Sequence, residues 1–226
     1  MSASSTSLQK DISQIREPYS RTVFTEDQLV SRTNPYLQFH AWFEEALKCT
    51  AIAEPNAMCL STVDKEGRPS SRVVLMKKYS EEDGITFYTN LTSRKARDMM
   101  NNRHVCLLFY WPPVHRQVRI EGTVSLLSEE KAEEYFSSRP RASQISAMAS
   151  PQSEPITSRE QLDRMHAELC QEYSDESVPI PKPDFWGGYV VHPNMFEFWQ
   201  GQSTRLHDRI VFQRDTEGWA IGRLAP

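Results

Sequence analysis

Apolar residues recur at helical spacing in one segment near the start of the chain. The apolar face of this segment is formed by Tyr36, Phe39, Phe43, Ala46 and Leu47. Residues about 3.6 positions apart stack on one side of a helix. Asn34 and Pro35 come directly before them, and these residue types suit the N-cap and the first helical position. The pattern predicts an amphipathic helix that begins at Asn34-Pro35.

Short apolar or alternating runs separated by turn residues follow this helix. They predict strands over 57–63, 71–79, 85–90, 105–111 and 117–127. Asp-Lys-Glu-Gly at 64–67 and Glu-Glu-Asp-Gly at 81–84 are turn-forming clusters that close hairpins. Strands joined by turns of a few residues pair antiparallel, because a parallel crossover needs a dozen or more residues. The pattern indicates an antiparallel sheet or barrel.

Helical signals return in the second half of the chain, over 128–138 and 157–173. Thr157 and Glu160 are spaced as a capping box at the second of these helices. Further strands are predicted over 187–191, 196–200 and 209–214, with a short one over 219–224. Because strands lie on both sides of the helices, dividing the chain would cut the sheet. We expect a single α+β domain over 34–226, preceded by a mobile arm over 1–33 that is rich in Ser, Thr and charge.

Composition and charge narrow the function classes. The chain has 226 residues, a hydrophobic fraction of 38% and a formal charge of −4, which gives no global attraction for nucleic acid. The polar start lacks the apolar core of a signal peptide, and the longest apolar run, 105–111, is too short to span a bilayer. The four cysteines form no C-x-x-C pair, which favours reduced, buried thiols and no metal site. We expect a cytoplasmic protein with no membrane or nucleic-acid partner.

Two basic clusters are candidate anion sites. Ser93-Arg94-Lys95 places an N-cap and two cations at a helix start, where cations oppose the helix dipole unless an anion binds there. The alternative is an ordinary solvated helix end. A second cluster begins at Arg139, four residues after Tyr135, so the two share a face if the helix continues to Arg139.

Two further pairs carry candidate chemistry. Arg72 and Lys77 lie at odd spacing on one predicted strand and face opposite sides of it if the strand is unbroken. Arg205 and His207 are two apart and share a face if their segment is extended. The segment 196–209 around this second pair combines aromatic residues, amides and cations, which suits the rim of a site for a planar, charged ligand.

The chain resembles the pyridoxine/pyridoxamine 5′-phosphate oxidase family. No Walker loop, G-x-G-x-x-G, H-E-x-x-H or G-x-S-x-G motif occurs. The strings that carry the resemblance are Ser-Arg-Val-Val-Leu-Met-Lys at 71–77, Phe-Tyr-Thr-Asn at 87–90, Ser-Arg-Lys at 93–95, Arg-Gln-Val-Arg at 116–119, Tyr-Phe-Ser-Ser-Arg-Pro at 135–140, Trp-Gly-Gly-Tyr at 186–189, Phe-Trp-Gln-Gly at 198–201, Arg-Leu-His-Asp-Arg at 205–209 and Arg-Leu-Ala-Pro at 223–226. The resemblance extends from about Arg16 to the end of the chain, and the Arg-Leu-His-Asp-Arg string is its most specific part.

The resemblance implies an FMN-binding split β-barrel with flanking helices, and a homodimer with active sites at the subunit interface. It implies FMN binding by Arg72, Val73, Val74, Leu75, Tyr88, Thr89, Arg94, Lys95, Gln117, Gln152, Ser153, Trp199 and Arg209. It assigns the substrate phosphate to Lys77, Tyr135, Arg139 and Ser143, and the substrate ring to Arg205, Leu206 and His207, of which Arg205 and His207 are the catalytic candidates. The reaction implied converts pyridoxine 5′-phosphate or pyridoxamine 5′-phosphate to pyridoxal 5′-phosphate, with dioxygen as acceptor and hydrogen peroxide as product.

The chain departs from the family pattern at two places. Ser146 and Met148 stand where the family has Gly and a bulkier or β-branched residue, so the helix after the substrate phosphate site is expected to pack differently. The arm carries Arg16-Glu17-Pro18-Tyr19, which is similar to a family lid in which Arg16 and Tyr19 contact substrate, with Pro18 as a difference.

Two alternatives belong to other function classes. One is a split-barrel carrier that holds FMN or pyridoxal phosphate without turnover; the Arg205 and His207 pair favours an enzyme instead. The other is a flavin oxidoreductase that takes electrons from a nicotinamide donor. The candidate monophosphate site around Arg139 argues against this second alternative.

Overall fold

The computed structural model describes residues 12–14, 18–19 and 21–226. These residues form one curled antiparallel sheet with helices packed around it. The helices are α1 (Pro35–Lys48), α2 (Arg94–Asn101), α3 (Glu129–Ser138), α4 (Arg141–Ala149) and α5 (Arg159–Glu172). The strands are β1 (Ala57–Val63), β2 (Pro69–Leu75), β3 (Lys78–Ser80), β4 (Gly84–Asn90), β5 (His104–Trp111), β6 (Arg116–Leu126), β7 (Trp186–Gln200), β8 (Asp208–Arg214) and β9 (Trp219–Arg223).

The sheet runs in the order β2-β1-β5-β6-β7-β4-β3, with β8 on β7 and β9 on β8. Strand β7 organises it, since β6 pairs along nearly its whole length, while β4 pairs with its first half and β8 with its second half. The register of β6 against β7 shifts between Glu121 and Gly122. A Cβ atom at Gly122 would lie 2.3 Å from the carbonyl oxygen of His192, so only glycine fits this irregularity. The α+β split-barrel class predicted above is confirmed.

Helix α1 covers one side of the barrel core. The Asn34 side chain accepts a hydrogen bond from the backbone N–H of Tyr36, which confirms the predicted N-cap. Phe39 and Ala46 are fully buried, and Phe39 packs against Phe109. Burial of such large aromatic side chains removes most of the apolar surface of the helix from water and fixes it on the sheet.

Three local predictions are wrong. The run 71–79 is two strands, because pairing of β2 with β1 ends at Leu75 and β3 begins at Lys78 against β4. The predicted strands 187–191 and 196–200 are one strand, β7, because the intervening residues keep pairing with β6. Helix α5 begins after Ser158, whose side chain accepts from the backbone N–H of Gln161, so Thr157 is not the N-cap.

Three further expectations concern the arm, the cysteines and membrane-spanning segments. The segment after residue 21 contacts the barrel, and Phe24 is buried against Trp42. The cysteines are free thiols, but Cys170 is exposed on α5 and the other three are half-buried, so their predicted full burial is wrong. Within the described ranges no helix is both long enough and apolar enough to cross a bilayer.

Candidate functional site

A cavity of about 820 Å³ opens between the sheet and three helix ends. Residues of β2, β4, the start of α2, the end of α3 and α4 line the cavity. The predicted residues that line it are Arg72, Val73, Val74, Leu75, Lys77, Tyr88, Thr89, Lys95, Tyr135, Arg139, Ser143 and Gln152. Residues from five separate elements therefore meet around one space.

A cation without a carboxylate partner lies at the α2 end of the cavity. Lys95 is only 8% exposed, and its ammonium group donates to Thr89 Oγ1 at 3.0 Å, Ser93 Oγ at 3.2 Å and Gln152 Oε1 at 2.6 Å. All three acceptors are uncharged. Burial, with a smaller contribution from Arg72, lowers the pKa of Lys95 to about 8. This end of the cavity favours an anion, which would stabilise the charged form of the lysine.

Arg72 is held beside Lys95 by a polar network from β1 and β2. Its guanidinium donates to Thr62 Oγ1 at 2.7 Å and to Ser70 Oγ at 2.8 Å. Thr62 in turn donates to the buried carboxylate of Asp98 at 2.7 Å. Oδ2 of Asp98 lies 3.8 Å from Arg72 Nη2 and 4.0 Å from Arg94 Nε. One carboxylate thus lies near two arginines, Arg72 and Arg94, so this end of the cavity keeps a net positive charge.

A second cation, Arg139, lies at the other end of the cavity. Its guanidinium stacks over the Trp186 ring at 5.1 Å, and its Nη1 atom is buried without a hydrogen-bond partner among the described residues. Burial lowers the pKa of Arg139, yet a guanidinium stays charged at any physiological pH. A buried N–H donor on a charged group without an acceptor costs free energy, about 1–3 kcal/mol for a typical polar group. The geometry at this end also favours an anion.

Tyr135 and Arg139 do not share a helix face, because the helix does not continue to Arg139. Helix α3 ends at Ser138, and Arg139 has the extended backbone angles φ −74° and ψ 151°. Both side chains nonetheless line the cavity, where Tyr135 stacks on Tyr88 with ring centroids 4.0 Å apart. The expectation for Arg72 and Lys77 fails for a similar reason. The chain leaves β2 after Leu75, so both cations line the same cavity rather than opposite faces.

Two residues of the expected cofactor set lie next to the cavity but do not line it. Arg94 is the first residue of α2, and its side chain is half exposed and directed to Asp98. Ser153 adopts a left-handed conformation with φ 72°, one residue after Gln152. A non-glycine residue at positive φ is strained, so neighbouring contacts hold this loop in place.

A separate groove of about 310 Å³ contains four of the remaining predicted residues. Gln117, Trp199, His207 and Arg209 line it. Beneath them the buried carboxylate of Glu197 accepts from Arg209 Nε at 2.7 Å and Arg119 Nη2 at 2.7 Å. Both arginines lower the pKa of Glu197, against the effect of burial. The structure of one chain therefore places the expected site residues in two groups.

The segment with Arg205 and His207 is a turn, so the predicted extended arrangement is wrong. Arg205 has φ 69°, and its side chain and that of Leu206 are exposed. His207 is half-buried, with its ring 4.9 Å from the ring of Trp199. Burial and the charge of Arg205 lower the pKa of His207.

Tyr19 is the described part of the expected lid. Its ring makes edge contacts with Trp199 at 5.7 Å and with His207 at 5.4 Å between centroids. It also covers Gly201, where a Cβ atom would lie 2.7 Å from the tyrosine ring. Arg16 lies outside the described residues.

Sequence reasoning missed several residues that build the two sites. Asp98 could have been found as the i,i+4 partner of Arg94 on a helix. Glu197 could have been found only from the strand pairing that places it opposite Arg119. Trp186, Asn90 and Ser150 line the cavity, as does Ser146, whose hydroxyl donates to the carbonyl oxygen of Ala142.

Residues 43–173 match the model of the pyridoxamine 5′-phosphate oxidase family. Residues 186–226 match the pyridoxine 5′-phosphate oxidase C-terminal dimerisation region. A pyridoxine/pyridoxamine 5′-phosphate oxidase of Rubrobacter xylanophilus is 48% identical over 96% of this chain and 97% of its own length. The pyridoxine-5′-phosphate oxidase of Bos taurus is 47% identical over 96% of this chain and 88% of its own length.

Solved structures show the same fold. PhzG from Burkholderia lata, crystallised with tetrahydrophenazine-1-carboxylic acid, superposes with a TM-score of 0.82 at 30% identity, covering 91% of this chain and 98% of its own. An FMN-binding protein from Nostoc punctiforme, described as related to pyridoxamine 5′-phosphate oxidase, gives a TM-score of 0.66 at 17% identity, covering 85% and 98%. At that identity the second likeness concerns the fold alone.

Proposed function

The chain belongs to the pyridoxamine 5′-phosphate oxidase family, and on that basis we propose that it oxidises pyridoxine 5′-phosphate and pyridoxamine 5′-phosphate to pyridoxal 5′-phosphate. FMN is the cofactor, dioxygen the electron acceptor and hydrogen peroxide the second product. The observation that carries this proposal is the cavity with a cationic site at each end. Two phosphate esters, one of the cofactor and one of the substrate, match that arrangement.

The residues fit FMN at the α2 end. Lys95 has three neutral hydrogen-bond partners, and Arg72 and Arg94 share a single carboxylate, so an incoming phosphate meets uncompensated positive charge and a helix start. We assign the cofactor phosphate to these three cations. Tyr88, Thr89, Gln152 and the β2 residues from Arg72 to Leu75 complete this part of the cavity, and we assign Ser153, next to Gln152, to the same set. FMN, when bound, supplies the two-electron acceptor that the oxidation requires and returns the electrons to dioxygen.

The residues around Arg139 fit the substrate phosphate. The unpartnered Nη1 of Arg139 is a buried donor that a phosphate oxygen would satisfy. Lys77, Tyr135 and Ser143 add an ammonium and two hydroxyl groups in the same cavity. The Trp186 ring fixes the plane of the guanidinium, which favours two-point binding of one phosphate.

We propose that the second group of residues completes the site of another copy of the chain. Gln117, Trp199, His207 and Arg209 lie in the groove and not in the cavity. The row of facing residues Val73, Cys59, Leu108, Arg119 and Glu197 joins β2, beside the cavity, to the groove on one face of the sheet. On this face Val73 is 67% exposed and Tyr110 54% exposed. Covering that face in a homodimer is consistent with the dimerisation-region match of residues 186–226.

The chain's own groups then have distinct tasks. Arg205 is permanently charged, which suits orientation of the substrate ring and stabilisation of negative charge on its oxygen, and excludes it as a base at neutral pH. His207 has a lowered pKa and acts on the substrate as a neutral hydrogen-bonding group. Tyr19 covers this group from the arm, and by the family pattern we assign Arg16 to the substrate as well. A cytoplasmic location completes the proposal.

A spectroscopic experiment tests the activity. The purified protein should be yellow, and anaerobic pyridoxamine 5′-phosphate should bleach the flavin absorbance with stoichiometric formation of pyridoxal 5′-phosphate and ammonia. Admission of dioxygen should then restore the absorbance with stoichiometric hydrogen peroxide. A yellow protein that no phosphorylated pyridine bleaches would be a carrier. Bleaching by a reduced nicotinamide, but not by pyridoxamine 5′-phosphate, would make it a different oxidoreductase.

Mixing two inactive variants tests the shared site. Arg139→Ala damages the cavity group and Arg205→Ala the groove group. If one site draws on both copies, co-refolding the two variants restores about a quarter of the parent's sites, because half of the random dimers are mixed and each of these has one intact site. Absence of any recovery, with mixed dimers verified, would contradict sharing between copies.

A further inference from the structure

The backbone amide of Gln202 bonds to one ring nitrogen of His207. Its N–H donates to Nδ1 of His207 across 3.0 Å. An amide N–H has no acceptor function, so Nδ1 must be the unprotonated nitrogen of the ring. A neutral imidazole has one N–H, and here it must be on Nε2. The contact therefore determines the tautomer.

Gln202 is held in place through its side chain. The residue is 6% exposed, and its Nε2 donates to Oδ2 of Asp208 at 2.7 Å and to the carbonyl oxygen of Thr22 at 2.8 Å. The same Oδ2 of Asp208 accepts from the backbone N–H of Phe24 at 2.8 Å. Gln202 thus connects the segment 22–24 to the loop that carries His207.

The ring of His207 has little freedom to turn away from this amide. Trp199 lies against it at 4.9 Å between centroids, and Tyr19 meets it edge-on at 90°. With Nδ1 occupied, Nε2 is the polar atom of His207 that is left for a ligand in the groove it lines.

We propose that Gln202 is a positioning residue that fixes His207 as the Nε2–H tautomer, so that His207 donates a hydrogen bond to an oxygen of the substrate and does not take up its proton. The substrate part of this proposal rests on the proposed function, whereas the tautomer does not. The two charged neighbours of the ring act in opposite directions, since Asp208 favours a second proton on His207 and Arg205 opposes it. Arg205 disfavours a second proton, and the carboxylate of Asp208 is already bonded to Gln202, Phe24 and Arg223. A proton on Nδ1 would point at the amide N–H and break the bond.

Nitrogen NMR tests the tautomer directly. The FMN-loaded protein, labelled with ¹⁵N in histidine and assigned with a His207→Gln variant, should give Nδ1 of His207 in the range of unprotonated ring nitrogens and Nε2 in the protonated range at neutral pH. Reversed assignments, or both nitrogens protonated, would overturn the proposal. This readout needs no turnover, so a protein without oxidase activity that shows the Nε2–H tautomer would refute the proposed function and not this inference.

Two amide substitutions test the donor role. A glutamine side chain places its amide near the position of Nε2, and an asparagine side chain near that of Nδ1. Loss of one substrate hydrogen bond should lower kcat/KM of His207→Asn by about 10- to 100-fold, while His207→Gln stays within about threefold of the parent. The opposite order, with Asn active and Gln not, would overturn the proposal. Ser203→Ala, in the exposed turn of the same loop, is the matched control and should behave like the parent.

A third variant tests the anchoring role of Gln202. Gln202→Ala keeps the backbone amide and removes both side-chain bonds. We expect kcat/KM to fall about tenfold at unchanged FMN content, with the ¹⁵N shifts of His207 moving toward the average of the two tautomers. A reduced rate with parent-like shifts would show that Gln202 acts only as a structural residue.

Discussion

The ammonium group of Lys95 donates to the side-chain oxygen of Gln152 across 2.6 Å and joins the start of α2 to a loop 57 residues further along the chain. Lys95 is otherwise bonded only to hydroxyl groups. This buried cation with neutral partners is the basis of the following predictions for FMN binding and its pH dependence.

FMN affinity should fall as the pH rises above about 8. The pKa of Lys95 is lowered to about 8, and a bound phosphate raises it again by favouring the ammonium form. Below that pH the lysine is already charged and affinity is flat. Above it, binding must also take up a proton, and affinity falls by up to about tenfold per pH unit. Fluorescence titrations of the apoprotein with FMN between pH 6.5 and 9.5 measure this slope. An equal slope in Lys95→Met would contradict the assignment to Lys95.

Lys95→Met should stabilise the apoprotein while it weakens FMN binding. The pKa of Lys95 in the folded state lies below its usual value of 10.5, so the charged lysine opposes folding below about pH 8, and this penalty is relieved as the pH rises toward 10.5. Removing the charge should raise the Tm of the apoprotein at pH 7 and lower FMN affinity by about 10- to 100-fold. Calorimetry with and without FMN checks both signs. A lower apoprotein Tm in the variant would show that the three hydrogen bonds outweigh the cost of burial.

Asp98→Asn should weaken FMN binding about three- to tenfold, although it removes a negative charge near a phosphate. The carboxylate orients Arg72 through Thr62 and lies within 4.0 Å of Arg94, and the amide cannot hold both arginines. If Asp98 acted only through its charge, affinity would rise instead. Asp163→Asn removes an exposed i,i+4 partner of Arg159 on α5 and is the control, with unchanged affinity expected.

Arg139→Lys should raise KM for phosphorylated substrate at least tenfold. Lysine keeps the charge but lacks the planar fork and the stacking on Trp186. Unphosphorylated pyridoxine should be a poor substrate of the parent, and its kcat/KM should change little in the variant. Steady-state oxygen consumption with both substrates measures the ratio. A similar loss on both would place Arg139 outside the phosphate site.

Local pattern was enough to predict the class of fold and most elements. The apolar period of α1, the alternation in β1 and the turn clusters depend on residues close in the chain, and each appears where it was expected. The errors occurred where pairing with strands distant in the chain determines where a strand begins or ends. The break between β2 and β3, and the continuity of β7, follow from their partners β1, β4 and β6.

The sequence by itself determined the family, through motif strings whose residue types need no geometry to be read. It also determined which cations are candidates for phosphate binding. Only the tertiary structure decided that Arg72 and Lys77 line one cavity, that Arg139 has a buried donor without a partner, and that Gln117, Trp199, His207 and Arg209 lie elsewhere. The physical reason is that hydrogen-bond partners such as Asp98, Glu197 and Gln202 come from strands and loops whose pairing is fixed by the fold. The environment that lowers the pKa of Lys95 and fixes the tautomer of His207 exists only once those elements are packed together.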